Sequence, residues 1–184
     1  DYPVEFFRKR VWYMDRRPMT DGQAARAVEI LKNANLDYPY DAVRDGTWTY
    51  DKFHSLCTAA TVDLNGDGVV GNGDLYGFSG EKSNSTVAYL YAFELEIMKM
   101  SDTGEISVPF GSDERSVDGI EKLKTLLYGS QGSYNVTADT QSNMDMFVAQ
   151  TAIFTTGVLG DSVSRYRDDC DFDYGIVPYP KFEE

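Results

Sequence analysis

The chain has little of what most catalytic and nucleic-acid-binding proteins depend on. It carries one histidine, His54, two cysteines, and 17 lysines and arginines against 30 acids. A Ser-His-Asp or Cys-His system would have to use His54, and no motif places a nucleophile against its imidazole. There is no G-x-S-x-G elbow, no H-E-x-x-H or cysteine cluster for zinc, and no G-x-x-x-x-G-K-[ST] phosphate cradle. The net charge of −13 repels a phosphate polyanion, which sets nucleic acid aside as a partner. No apolar run reaches the length of a membrane span. No signal peptide follows Asp1, so a segment carrying a cellular address is expected upstream. Cys57 and Cys170 lie far apart, as a disulfide or as two free thiols.

The 184 residues suffice for one domain, 1–184, with a real core. Aromatic content is high, with 13 Tyr, 10 Phe and 2 Trp; the rings either fill that core or in part stack on the C–H faces of sugars. Strand-like and helix-like segments alternate, which gives an α/β class. Strands are expected at 2–14, at Leu75–Phe78, near 105–108, at 151–156 and at 172–180. Helices are expected at 22–35, 50–60 (Thr49 capping, Phe53, Leu56, Cys57 and Ala60 inward), 86–100 (buried all round), 113–128 (Val117, Ile120, Leu123 and Leu127 inward), 139–149 and 161–168. Residues 36–49 read as a loop, Trp48 as packing, and His54 as an exposed helix residue.

Residues 63–74, DLNGDGVVGNGD, carry the most chemistry. A hard divalent cation collects six to eight oxygens, and an EF-hand-like loop supplies them at fixed offsets. Here Asp63, Asn65 and Asp67 stand at positions 1, 3 and 5, and Gly68 allows the turn at position 6. The carbonyl of Val69 serves position 7, Val70 anchors the loop, and Asp74 stands at position 12, where glutamate is usual. The expected cofactor is one Ca²⁺, acting as a structural staple because the loop is single. Carboxylate pairs such as Glu94 with Glu96, or Asp168, Asp169 and Asp171, are expected among so many acids without a hydrolytic role.

The strings YPYDAVRDGTWTYDKF (38–53), DLNGDG, LYGF and FDYGIVPYPKF, in this order, resemble the family 1 extracellular solute-binding proteins. These are sugar-binding lipoproteins of bacterial ABC importers, related in fold to maltose-binding protein. The resemblance implies a periplasmic-binding-protein-like (type II) lobe with a mixed sheet flanked by helices. It further implies that the chain is the second lobe alone, cut where two strands cross between lobes, with both termini at one rim. The implied partners are a sugar or oligosaccharide, the missing first lobe and a membrane permease. The implied location is extracellular, on a lipid anchor outside this chain. Ligand would meet two loops: 79–85, offering Ser79, Glu81, Lys82 and Asn84, and Gly157-Val158-Leu159. No catalytic residue is expected. Two other classes are compatible with the residues: a stand-alone calcium-dependent glycan-binding or adhesion module, and a carbohydrate-active enzyme.

Overall fold

Residues 39–64, 66–71, 74–129, 133–136, 140–170 and 174–183 are described in the computed structural model of the chain. The strand expected at 2–14 and the helix expected at 22–35 lie outside the described residues.

The segment read as a loop from 36 opens instead with a short helix, α1 (Pro39–Arg44). Proline suits the first helical position because its missing N–H is one the helix cannot use. Asp41 in the first turn and Arg44 in the last match the helix dipole and pair at 3.2 Å. Gly46, at φ +72°, turns the chain out of α1. Helix α2 (Tyr50–Ala60) then forms where its periodicity places it. The Thr49 hydroxyl caps it by accepting from Lys52 N, and Phe53, Leu56, Cys57 and Ala60 are buried.

The centre of the domain is a parallel sheet of β1 (Tyr76–Glu81), β4 (Ser133–Val136) and β5 (Ala152–Thr155), in the order β4-β1-β5. All six residues of β1 are buried, as expected of a strand with neighbours on both edges and helices on its faces. Helix α2 lies so close to β1 that a methyl group at Gly77 would run into the backbone of Cys57. Helix α3 (Lys82–Ala92) follows β1 with no intervening loop. It stops short of the helix expected to 100: Tyr89 and Phe93 are buried, Val87 and Tyr91 face out, and Glu94 at φ +56° turns the chain. The remainder builds a separate antiparallel hairpin, β2 (Lys99–Met100) with β3 (Ile106–Ser107). Among the described residues, therefore, the three-stranded sheet is parallel, and antiparallel pairing is found in this hairpin and in one isolated bridge, Val62 with Leu75.

Helix α4 (Glu114–Lys124) is capped by Asp113, which accepts from Ser116 N at 2.8 Å, and runs on as a π-helical turn over Thr125–Gly129. Leu123, Leu126 and Leu127 enter the core, whereas Val117 and Ile120, expected inward, are 45% and 39% exposed. Ser116 and Gly119 take the inner face instead, because α4 packs near Phe93 and Leu95, where a Cβ on Gly119 would press on Leu95. Helix α5 (Thr140–Val148) leads to β5, and a final helix occupies 159–169 with a π turn over Ser162–Tyr166. The core is aromatic: Phe53 meets Phe78 and Phe154 edge-on, each at 5.4 Å.

The segment 174–180 is not a strand. Pro178 and Pro180 have no N–H to donate to a ladder. The chain instead runs beside residues 48–50: Trp48 Nε1 donates to Pro178 O at 3.0 Å, Lys181 N to Trp48 O at 3.2 Å, and Tyr50 N to Lys181 O at 2.8 Å. Trp48, 5% exposed, is the packing residue it was expected to be.

Candidate functional site

The Asp-rich loop is closed at its neck by a bridge between Val62 and Leu75, with Val62 N donating to Leu75 O at 2.9 Å and the reverse bond at 3.0 Å. Inside the loop the carboxylates are oriented by backbone. Asp63 accepts from Gly66 N at 2.6 Å and Gly68 N at 2.8 Å; Asp67 accepts from Val69 N at 2.8 Å. Asp74 is fully buried and accepts from Leu64 N at 2.9 Å and Gly71 N at 2.7 Å, one bond to each oxygen. Gly66 and Gly68 hold positive φ, which the turn requires. Asn65 lies outside the described residues, and among those described no three acidic groups already converge on one point. The donor set fits a hard cation in kind: carboxylates and the Val69 carbonyl, pre-oriented by N–H groups that leave lone pairs for a metal.

The two expected ligand segments meet at the sheet. Ser79 of β1 is in register with Thr155 of β5, so both strands deliver their carboxyl ends to the same edge. Residues 79–85 are not a loop, however. Ser79 and Glu81 belong to β1 and are 0% and 3% exposed, while Lys82 and Asn84 fall in the first turn of α3. The Ser79 hydroxyl is turned into the core, donating to Asn143 Oδ1 at 3.1 Å. Polar residues in sequence suggested a surface turn; burial between two parallel neighbours overrides that composition. Gly157, Val158 and Leu159 do form an exposed turn at the end of β5, with Leu159 opening the final helix. Ser85 and Thr156 join the two segments through hydroxyls 2.6 Å apart. The strand order places this junction at the carboxyl edge of the sheet, between β1 and β5; open α/β sheets bind ligands outside the carboxyl ends of their strands.

Beside this junction a cleft of about 500 Å³ opens between β5, the final helix and residues 174–180. Gly157, Val158 and Leu159 form part of its rim, whereas Ser79 and Glu81 do not reach it. The walls are largely aromatic, and among the described lining residues none is an acid, lysine, arginine or histidine. Its polar side chains are already engaged. Trp48 donates to Pro178 O, Tyr174 Oη to Ser162 O at 2.8 Å, and Ser162 Oγ to Leu159 O at 2.6 Å. Tyr40 Oη accepts from Ile176 N at 2.9 Å. The hydroxyls of Thr155 and Tyr166 are sealed behind the wall: they lie near one another without forming a hydrogen bond of normal geometry. Burial, reinforced by the charge of Asp161, pushes Tyr166 up to about 12. Sequence reasoning did not find this cleft, because the residues that line it are scattered along the chain and look like core in a one-dimensional reading.

His54 is half-buried rather than exposed. It stacks on Tyr50 at 5.8 Å, its Nε2 has no partner, and burial holds its pKa below the ordinary value. Cys57 and Cys170 are free thiols; Cys57 is fully buried, which pushes its pKa well up. Glu96, Asp168 and Asp169 are exposed and paired with Lys99, Arg167 and Arg165, and Glu94 is also on the surface. No helix among the described residues is long and apolar enough to cross a membrane.

No family model matches this chain, and no curated protein or solved structure matches it either. What the fold defines is a mixed α/β domain built on a small parallel sheet.

Proposed function

We propose that this domain is one lobe of a bacterial extracellular solute-binding protein of type II periplasmic-binding-protein architecture, which captures a sugar or oligosaccharide for an ABC importer. The solute would be held between this lobe and a second one, and the closed form would dock on a membrane permease. The full protein would be held outside the cell by a lipid anchor. One observation carries the reading. The parallel pairing of β1 with β5 brings Glu81 and the Gly157-Val158-Leu159 turn, distant in the sequence, to the same carboxyl edge of the sheet. The mechanism is capture and release. Affinity would arise from desolvation of sugar C–H faces and from hydrogen bonds in the gap between the two lobes, with no covalent step.

The Asp-rich loop completes the proposal as a calcium staple. Asp63, Asn65, Asp67, Asp74 and the carbonyl of Val69 would hold the ion. Its charge would offset the crowded carboxylates between α2 and β1.

The reading is tested by glycan-array binding of the chain beside a variant with Val158 and Leu159 both replaced by aspartate. These side chains are 73% and 72% exposed, so the variant retains its fold. The expected result is weak binding of a few neutral oligosaccharides, lost in the variant, with no released sugar. Binding that survives the substitution, or hydrolysis of the bound glycan, would overturn the reading.

A further inference from the structure

We propose that the cleft beside β5, as its described residues form it, is a binding site for a single neutral aromatic ring. The proposal does not use a second lobe and stands apart from the solute-capture reading.

Three observations lead to it. The first is size: about 500 Å³ lies in the range of small-molecule sites and accommodates one substituted ring. The second is the character of the reachable wall. Tyr40, Phe154, Tyr174 and Tyr179 are half-buried, so part of each ring remains open to the cleft, and Ile153 and Ile176 fill the spaces between. Rings meet rings edge-on or offset, and that is how this domain already packs its own aromatics. The third is the lack of polar help. No charged side chain lines the cleft among the described residues; the Trp48 indole N–H and the Tyr174 and Ser162 hydroxyls donate to internal carbonyls, the Thr156 hydroxyl is joined to Ser85, and those of Thr155 and Tyr166 are sealed behind the wall. A pyranose entering here would lose water from several hydroxyls without recovering hydrogen bonds from side chains. A carboxylate or ammonium group would be desolvated with no counter-charge beside it. A flat ring with at most one polar substituent, directed to the open mouth, meets neither penalty.

The test uses the whole 184-residue chain and follows the Trp48 indole N–H by NMR, because that group sits in the cleft wall. The probes share one skeleton: benzyl alcohol, benzoate and benzyltrimethylammonium, with methyl β-glucopyranoside as the sugar. Benzyl alcohol is expected to shift Trp48 saturably and to bind about tenfold more tightly than either charged relative or the glucoside. Ile176→Asp places a carboxylate at the half-exposed mouth and is expected to weaken benzyl alcohol about fivefold with an unchanged melting temperature. Tyr166→Phe removes only a hydroxyl behind the wall and is expected to leave that affinity unchanged. The proposal is overturned if benzyl alcohol gives no saturable shift, or if any other probe binds as tightly. It is also overturned if Ile176→Asp binds like the parent, or if Tyr166→Phe loses affinity.

Discussion

Replacing Asp74 by alanine removes a side chain that ties both halves of the Asp-rich loop together. Its two oxygens accept from Leu64 N and Gly71 N, ten and three residues away, and the residue is completely buried. Each lost bond leaves a backbone donor facing a carboxylate-sized gap; a hydrogen bond to a charged group is worth about 1.5–3 kcal/mol, so the pair together is worth about 3–6 kcal/mol. For a chain of this length each kcal/mol moves the melting temperature by about 2–4 °C, so a fall of about 10 °C is expected even in EDTA. Calcium adds a second signature. If the ion binds the folded loop alone, raising it to about 100 times its dissociation constant stabilises the parent by about 2.7 kcal/mol. Asp74→Ala should lose that increment as well, because it removes a ligand as well as two bonds. Thermal unfolding followed by circular dichroism, in EDTA and in millimolar calcium, separates the two effects. A variant melting within about 2 °C of the parent in EDTA would refute the structural argument. A variant that kept the full calcium increment would refute the assignment of Asp74 as a ligand.

Other positions give independent checks. Gly77→Ala drives a methyl group into the Cys57 backbone, which cannot rotate away, so we expect at least about 3 kcal/mol of destabilisation by urea titration; a loss below about 1 kcal/mol would mean that α2 is not seated on β1 as described. Ser79→Ala deprives the fully buried Asn143 of its hydroxyl donor and should lower stability by about 1–3 kcal/mol, whereas a neutral result would show that the Ser79–Asn143 bond contributes nothing. His54 supplies a pH signature. Its folded pKa is held below 6.5, chiefly by burial, so the unfolded chain takes up the proton first. The stability it contributes is present above pH 6.5 and is lost as the pH falls through the folded value; His54→Gln should flatten that part of the stability profile, and an unchanged slope would remove His54 as its source.

The parts of the fold visible in sequence are those governed by neighbours along the chain. Helix α2 shows itself because a capping threonine and four apolar residues at helical spacing act within three turns. The turn of the Asp-rich loop shows itself because its acids, glycines and backbone bonds are all local. The errors arise where distant packing decides. Ser79, Gly80 and Glu81 have loop composition, yet they form the end of β1 because β4 pairs with all three and β5 pairs with Ser79 as well. Val117 and Ile120 fit a helical stripe, but the surface presented by Phe93 and Leu95 admits only Ser116 and Gly119. Residues 172–180 carry β-favouring side chains, yet two prolines prevent a ladder. The same distinction separates the sites. The turn at Gly157-Val158-Leu159 was readable as punctuation after a strand, whereas the aromatic cleft beside it exists only once remote segments are folded together.

The most direct measurement of solute capture at the carboxyl edge of the sheet is hydrogen–deuterium exchange on the calcium-loaded chain, with and without a mixture of neutral oligosaccharides. The account predicts slower exchange confined to residues 79–85 and 157–160, with the sugars recovered intact. Protection centred on the Asp-rich loop at 63–74, or cleavage of the sugars during the incubation, would contradict it.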